Sequence, residues 1–250
     1  YLGEGTWTGS VSGCNEGDIT GGGRENALRQ VNLYRWLADL PAVVTDAAMN
    51  ADTQECALMM HANGALDHTP PTSWTCYTTA GADAAGASNI SSGQAVESID
   101  MYMSDFGNAT TMGHRRWILS EGLGPIGIGG TSGYSCLQVI HWPTGGTWTA
   151  WPAPGAFPVQ AMDMPWYTVD ETGWTLQSNT ISLSSAVVTV TDAGSPRPVL
   201  VTVLLANYGS QYAISFIPQG WTSLAGHTYH VSVTGVTTPI SYDVEMVDCG

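Results

Sequence analysis

Gly113-His114-Arg115-Arg116-Trp117-Ile118-Leu119, followed by Gly127-Ile128-Gly129, is the stretch on which the reading of this chain turns. Its first part suits a short helix carrying His114 to Leu119. Its second part is a glycine-bracketed apolar step of strand character, where the texture of the chain changes from helical to β. Arg115 and Arg116 stand side by side here in a chain with only 6 basic residues. One of the two is expected to pair with acidic groups and lock the His114 segment; holding a substrate anion is the alternative use.

Toward the N-terminus, Ser91 followed by Gln94 is a capping-box pattern that predicts a helix carrying Val96, Ile99 and Met103 on one face. Residues 69–93 are rich in Pro, Gly, Ser and Thr and read as a long loop. A helix is predicted from about Asp46 to His61, with Met49, Thr53, Cys56 and Met60 at helical spacing and Gly64 just past its end. Another is predicted over 27–40, where Ala27, Leu28, Val31, Tyr34 and Leu37 share a stripe that stops before Pro41. Residues 1–23 lack a helical period and read as an extended arm.

Toward the C-terminus, Leu137–Trp142 reads as a short strand, and Trp142 to Pro158 as a linker or packed strap. Strand signals then recur at Ala186–Thr191, Val199–Leu205, Tyr212–Ile217, His230–Thr234 and Ser241–Val247. Short strands at this spacing, separated by turn residues, predict a small Ig-like β-sandwich. The division expected is 1–150 and 151–250. Trp142, Trp148, Trp151, Trp166 and Trp174 crowd the junction, where they either pack the two domains together or offer a stacking face for sugar rings.

The chain has 250 residues, 43% hydrophobic and 11% charged, with a formal charge of −15. Such a surface repels phosphate backbones and anionic headgroups, which excludes nucleic acid and membrane-surface partners from the expectation. No run of 18 apolar residues is present to span a membrane. A start at Tyr1 rather than Met fits a processed, secreted form. Five scattered cysteines without a CxxC pair read as disulfides of an oxidising, extracellular compartment. Cys56–Cys76 is the pair expected from its short loop; if Cys136 joins Cys249, Cys14 is left free.

Three segments, in order, resemble the CAP superfamily (SCP/PR-1-like): Ala27 to Leu40, with its Val31-Asn32…Arg35 core followed by Pro41; Ala51 through Met60 to Leu66-Asp67-His68; and the Gly113–Leu119 segment with Gly127-Ile128-Gly129. The resemblance covers roughly residues 24–145 and implies an α+β fold, a CAP-like α/β/α sandwich ahead of the β-sandwich. It also implies a cleft with two histidines, two acids and sometimes a divalent metal. Carried over residue by residue, the histidines are His68 and His114. The acid before the second histidine falls on Asp105, where the family has Glu. The other acid belongs to a Glu-Asn pair that here reads Ser88-Asn89, so a hydroxyl stands where a carboxylate is expected; Glu97 on the following helix is the alternative acid.

These residue types carry recognisable chemistry. Two imidazoles and one carboxylate would hold Zn2+ or another divalent metal with a position left for water. Ser88 beside His68 or His114, backed by Asp105, would be a nucleophile with its base; the plainer use of Ser88 is to cap a turn. The function expected is a secreted CAP-type protein that uses a His68/His114 cleft, with or without a divalent metal, to hydrolyse or bind an extracellular ligand: a small molecule, a peptide, an ester or a glycan. The alternative is a non-catalytic glycan-binding or adhesion protein. Asn89-Ile90-Ser91 and Asn108-Ala109-Thr110 fit the N-glycosylation pattern.

Overall fold

A computed structural model describes residues 2–141 and 145–250. The expected strand end and linker residues Trp142 and Pro143 lie outside the described residues. The fold is α+β, in two compact units: unit 1 comprises 1–34, 42–102 and 123–141, and unit 2 comprises 35–41, 103–122 and 142–250.

Unit 1 opens with a small antiparallel hairpin, β1 (Thr6–Trp7) and β2 (Ile19–Thr20), where an extended arm was expected. It continues through most of α1 (Gly23–Leu37), then α2 (Ala47–Asn63), α3 (Thr79–Gly86), β3 (Ser88–Ser91), most of α4 (Ala95–Ser104), β4 (Gly127–Gly130) and β5 (Ser135–Gln138); the last residues of α1 and α4 fall in unit 2. The three strands form an antiparallel sheet in the order β3-β5-β4. Helix α2 starts where Asp46 accepts from the backbone N–H of Ala48 (2.9 Å) and Met49 (3.0 Å), and ends at Gly64 with φ +61°.

Strand β4 is an edge strand, and α2 supplies the hydrogen bonds that the missing neighbour would have made. Asn50 Oδ1 accepts from Ile128 N (2.9 Å), while Gln54 takes Gly130 N on Oε1 (3.1 Å) and donates from Nε2 to Gly130 O (2.8 Å). Arg24 Nε donates to Ile128 O (2.8 Å). Side-chain amides one helical turn apart thus close the edge against foreign strands. Close approach requires Gly129, because a Cβ there would lie 2.2 Å from the Thr53 carbonyl. Gly129→Ala is expected to push β4 off α2 and cost about 1–3 kcal/mol, the range of overpacked sites, read as a lower urea midpoint.

The expected loop 69–93 instead contains α3 and β3. Helix α3 escapes a hydrophobic-period reading because Thr-Ala-Gly-Ala-Asp-Ala-Ala-Gly offers no large apolar side chain. Those small residues let it lie close to α2: a Cβ on Gly81 would sit 3.1 Å from Cys56 N. The capping box is also corrected. Ser91 lies in β3, and α4 is capped by the carboxylate of Glu4, which accepts from Val96 N (2.7 Å) and Glu97 N (2.6 Å).

The disulfides are Cys14–Cys76 and Cys56–Cys136, not Cys56–Cys76 or Cys136–Cys249. Helix α2 turns Cys56 inward, where it packs with Ala57, Met60, Ala84, Ala85, Ile90 and Cys136. Its sulfur therefore meets β5, and Cys76 is left to the arm. Cys249, in unit 2, is free and exposed.

Unit 2 contains α5 (Gly113–Ile118), β6 (Thr149–Trp151), β7 (Gly155–Pro158), α6 (Val169–Thr172), β8 (Trp174–Ser178), β9 (Val187–Asp192), β10 (Ser195–Arg197), β11 (Val199–Val203), β12 (Tyr212–Pro218), β13 (Thr228–Thr234) and β14 (Ile240–Val247). One sheet has the order β10-β9-β13-β14-β7, the other β11-β12-β8-β6; every pairing is antiparallel except β14 with β7. Along β13 and β14 alternate residues are buried: Tyr229, Val231 and Val233, then Ile240, Tyr242, Val244 and Met246. Trp174 on β8 meets Tyr229 of the opposite sheet edge-on at 5.9 Å, and Trp151 meets Phe157 at 4.8 Å. Trp151 and Trp174 are thus core residues of this β-sandwich, while Trp166 is exposed.

At the end of β9, Asp192 accepts from Arg197 and from His227 Nδ1 (2.8 Å). These bonds, Arg197 first, hold its carboxyl below the usual 3.8. A carboxylate with a depressed folded pKa contributes stability that is complete above its unfolded value and lost as pH falls through the folded one. The urea midpoint is therefore expected to drop as pH is lowered below about 3.8, with a smaller drop in Asp192→Asn.

Candidate functional site

Helix α4 ends at Ser104, and Asp105 follows with φ +53°, a left-handed conformation that aspartate tolerates better than most residues. The reversal sends residues 105–112 through a compact loop into α5. Asn108 Nδ2 donates to Asp105 Oδ1 (3.0 Å), and Thr111 Oγ1 donates to Asn108 Oδ1 (2.5 Å). Asn108 is therefore built into the loop, and Asn89 is buried in β3, so neither glycosylation pattern presents an open side chain.

The loop brings Asp105 to His114. His114 Nδ1 lies 2.8 Å from Asp105 Oδ1, and Arg115 N donates to Asp105 Oδ2 (3.1 Å). The carboxylate side chain has no exposed surface, whereas the imidazole is one-third exposed (33%). A buried carboxylate acts as the acceptor for Nδ1–H, which makes Nε2 the acceptor nitrogen of the neutral ring.

Arg115 and Arg116 lock this segment through main-chain carbonyls, and Arg116 also lies in the field of the Asp105 carboxylate. Arg115 donates to Met103 O (2.6 Å), Gly173 O (2.6 Å), Ser104 O (3.1 Å) and Thr172 Oγ1 (2.9 Å). Arg116 donates to Thr111 O (2.8 Å), Leu205 O (2.8 Å) and Ser210 O (3.1 Å). Arg35 likewise holds Ile118 O (2.7 Å), Ser120 O (2.9 Å) and Pro41 O (2.9 Å). Burial pushes Arg35 and Arg116 down to about 10, so both stay charged at neutral pH.

His68 and Ser88 belong to unit 1. His68 is exposed, with Nδ1 held by Ala85 O at 2.9 Å, which fixes its tautomer in the same sense. Ser88 is fully buried on β3, and its hydroxyl has no hydrogen-bond partner among the described residues, so no imidazole is bonded to it as a base. Glu97 is half-buried on α4.

The expected metal set does not fit Asp105. Both of its oxygens are occupied by donors in a place without solvent access, so it orients His114 and is not placed to ligate. Among the described residues no group of three or more His, Cys, Asp or Glu is arranged to hold a metal ion.

Aromatic residues adjoin the His114–Asp105 pair. Phe106, next in the chain to Asp105, is exposed and stacks on Tyr167 with centroids 3.5 Å apart. Tyr208 packs where a Cβ on Gly113 would be, 2.9 Å from its ring. Neither platform was legible in the sequence, because Phe106, Tyr167 and Tyr208 stand far apart in it.

Residues 28–140 match the CAP family, the cysteine-rich secretory protein family. The chain carries a CAP domain over that stretch, in agreement with the three segments that pointed to it. No curated protein and no solved structure shows a significant match to the chain.

Proposed function

We propose that this is a secreted CAP-type protein in which His114, oriented by Asp105, acts on an extracellular ligand, with His68 as the second imidazole of the family pattern. The observation that carries the reading is Asp105, a solvent-inaccessible carboxylate bound to the one-third-exposed imidazole of His114. A neutral ring held this way presents Nε2 as acceptor for a water or a ligand hydroxyl. In the hydrolytic form, Nε2 takes a proton from water as that water attacks a peptide, ester or glycan bond, and returns it to the departing amine or alcohol oxygen as the bond breaks. Two disulfides, and the absence among the described residues of a helix long and apolar enough to cross a membrane, support an extracellular setting.

The test is turnover on a panel of peptide, ester and glycan substrates. His114→Ala should lose about a hundredfold or more, the contribution of a positioned base, with unchanged circular dichroism. Asp105→Asn should lose part of that, and His68→Ala reports on the second imidazole. Full activity in His114→Ala would sink the proposal. A second reading, non-catalytic glycan binding, is favoured by the exposed Phe106 and Trp166 beside Tyr167. On that reading no substrate turns over, and Phe106→Ala together with Trp166→Ala abolishes oligosaccharide binding.

A further inference from the structure

A third histidine–carboxylate pair lies on the outer face of unit 2, after His114–Asp105 and His227–Asp192, and it carries a serine hydroxyl on the imidazole's other nitrogen. His230 on β13 is directly opposite Asp243 on β14, with Nδ1 to Oδ1 at 2.7 Å. Ser241, two residues before Asp243 and therefore on the same face, places Oγ 3.2 Å from His230 Nε2. Asp243 accepts, so Nδ1 carries the hydrogen, and Nε2 must then accept from the serine hydroxyl. The order is nucleophile, base, orienting carboxylate.

The backbone adds an oxyanion donor. Met246 N bonds to His227 O, which turns the N–H of even-numbered β14 residues toward β13 and those of Ser241 and Asp243 toward the other edge. Strand β7 covers that edge only from Val244 onward, so the Ser241 N–H sits beyond its reach.

We propose that Ser241, His230 and Asp243 form an acyl-transfer site for carboxylic esters, separate from the CAP domain histidines. Ser241 Oγ attacks the ester carbonyl carbon while its proton passes to His230 Nε2. The tetrahedral intermediate, its oxyanion facing the Ser241 N–H, expels the alcohol oxygen, which takes that proton back from Nε2. Water then repeats the sequence on acyl-Ser241, releasing the carboxylic acid and restoring the serine. The open face admits unhindered esters, and Asp243 and Glu245 on the same side select neutral or cationic ones over anionic ones. Asp243 is a positioning residue. Because His230 and Asp243 are half-exposed or more, the relay works in water and is weaker than a sheltered one.

The experiment is labelling of the full chain with a fluorophosphonate, whose phosphorus takes the serine oxygen as fluoride and the proton leave. The label is located by peptide mass spectrometry. Ser232, cross-strand neighbour of Ser241, is the internal control. Ser241 should label at least about tenfold faster than Ser232, below the hundredfold of a sheltered base. His230→Gln should bring the two rates together, and Asp243→Asn should lower the Ser241 rate part of the way. All three side chains are exposed, so both variants are expected to keep the native circular dichroism. Equal rates at Ser241 and Ser232 in the unaltered chain, or a Ser241 rate indifferent to His230→Gln, would overturn the assignment.

Discussion

Cys56→Ala with Cys136→Ala lowers the stability of unit 1 by about 4–5 kcal/mol, the loop-closure entropy of a cross-link spanning 80 residues. The bond ties the centre of α2 to the central strand of the three-stranded sheet, so the unfolded chain regains freedom across most of the unit. The measurement is the urea midpoint of the double variant against the oxidised parent. The Cys14–Cys76 pair spans 62 residues, and chain entropy alone would rank it almost equal. It is expected to matter less than half as much, because Cys14 is exposed in the connection between β1 and β2, a small hairpin that can open while the core stays folded. Equal losses for the two pairs would show that the hairpin folds as part of the core.

Arg115→Met removes about 3–5 kcal/mol from unit 2, the upper range for a single substitution. The methionine fills the arginine's space but leaves Met103 O, Gly173 O and Ser104 O buried without their donor. The same change loosens the turn that presents His114, since Arg115 follows it in α5 and its own N–H holds Asp105. Turnover or ligand binding that depends on His114 should therefore fall with stability in this variant. Thermal unfolding and a ligand titration on the same sample check both. If the melting temperature falls by less than a few degrees, the carbonyls find other partners.

Much of this architecture is visible in the chain itself, for physical reasons that differ by region. The β tail was readable because β13 and β14 face a core on one side only, so apolar and polar residues alternate, and the predicted strands match the observed ones to within a residue or two. Helix α2 was readable from Asp46, its apolar period and Gly64. Helix α3 was not, since its glycines and alanines pack by closeness rather than by bulk. The cysteine pairing failed because the shortest loop says nothing about which way Cys56 faces. At the site, the CAP resemblance identified His114 and Asp105 at positions the structure links by a hydrogen bond. What the sequence could not show is that Asp105 has both oxygens occupied, which changes it from a metal ligand candidate into an orienting group. The carbonyl cages around Arg115 and Arg116 were equally hidden, because main-chain oxygens leave no mark on a sequence.

Cys249 is the free cysteine of the chain and is exposed, while the other four are joined in pairs. A maleimide dye added without reductant should therefore attach at one position of unit 2 and leave unit 1 untouched. Native protein could then be tethered to a bead or fitted with a fluorescent reporter without engineering, and the same handle would immobilise it for the labelling kinetics at Ser241.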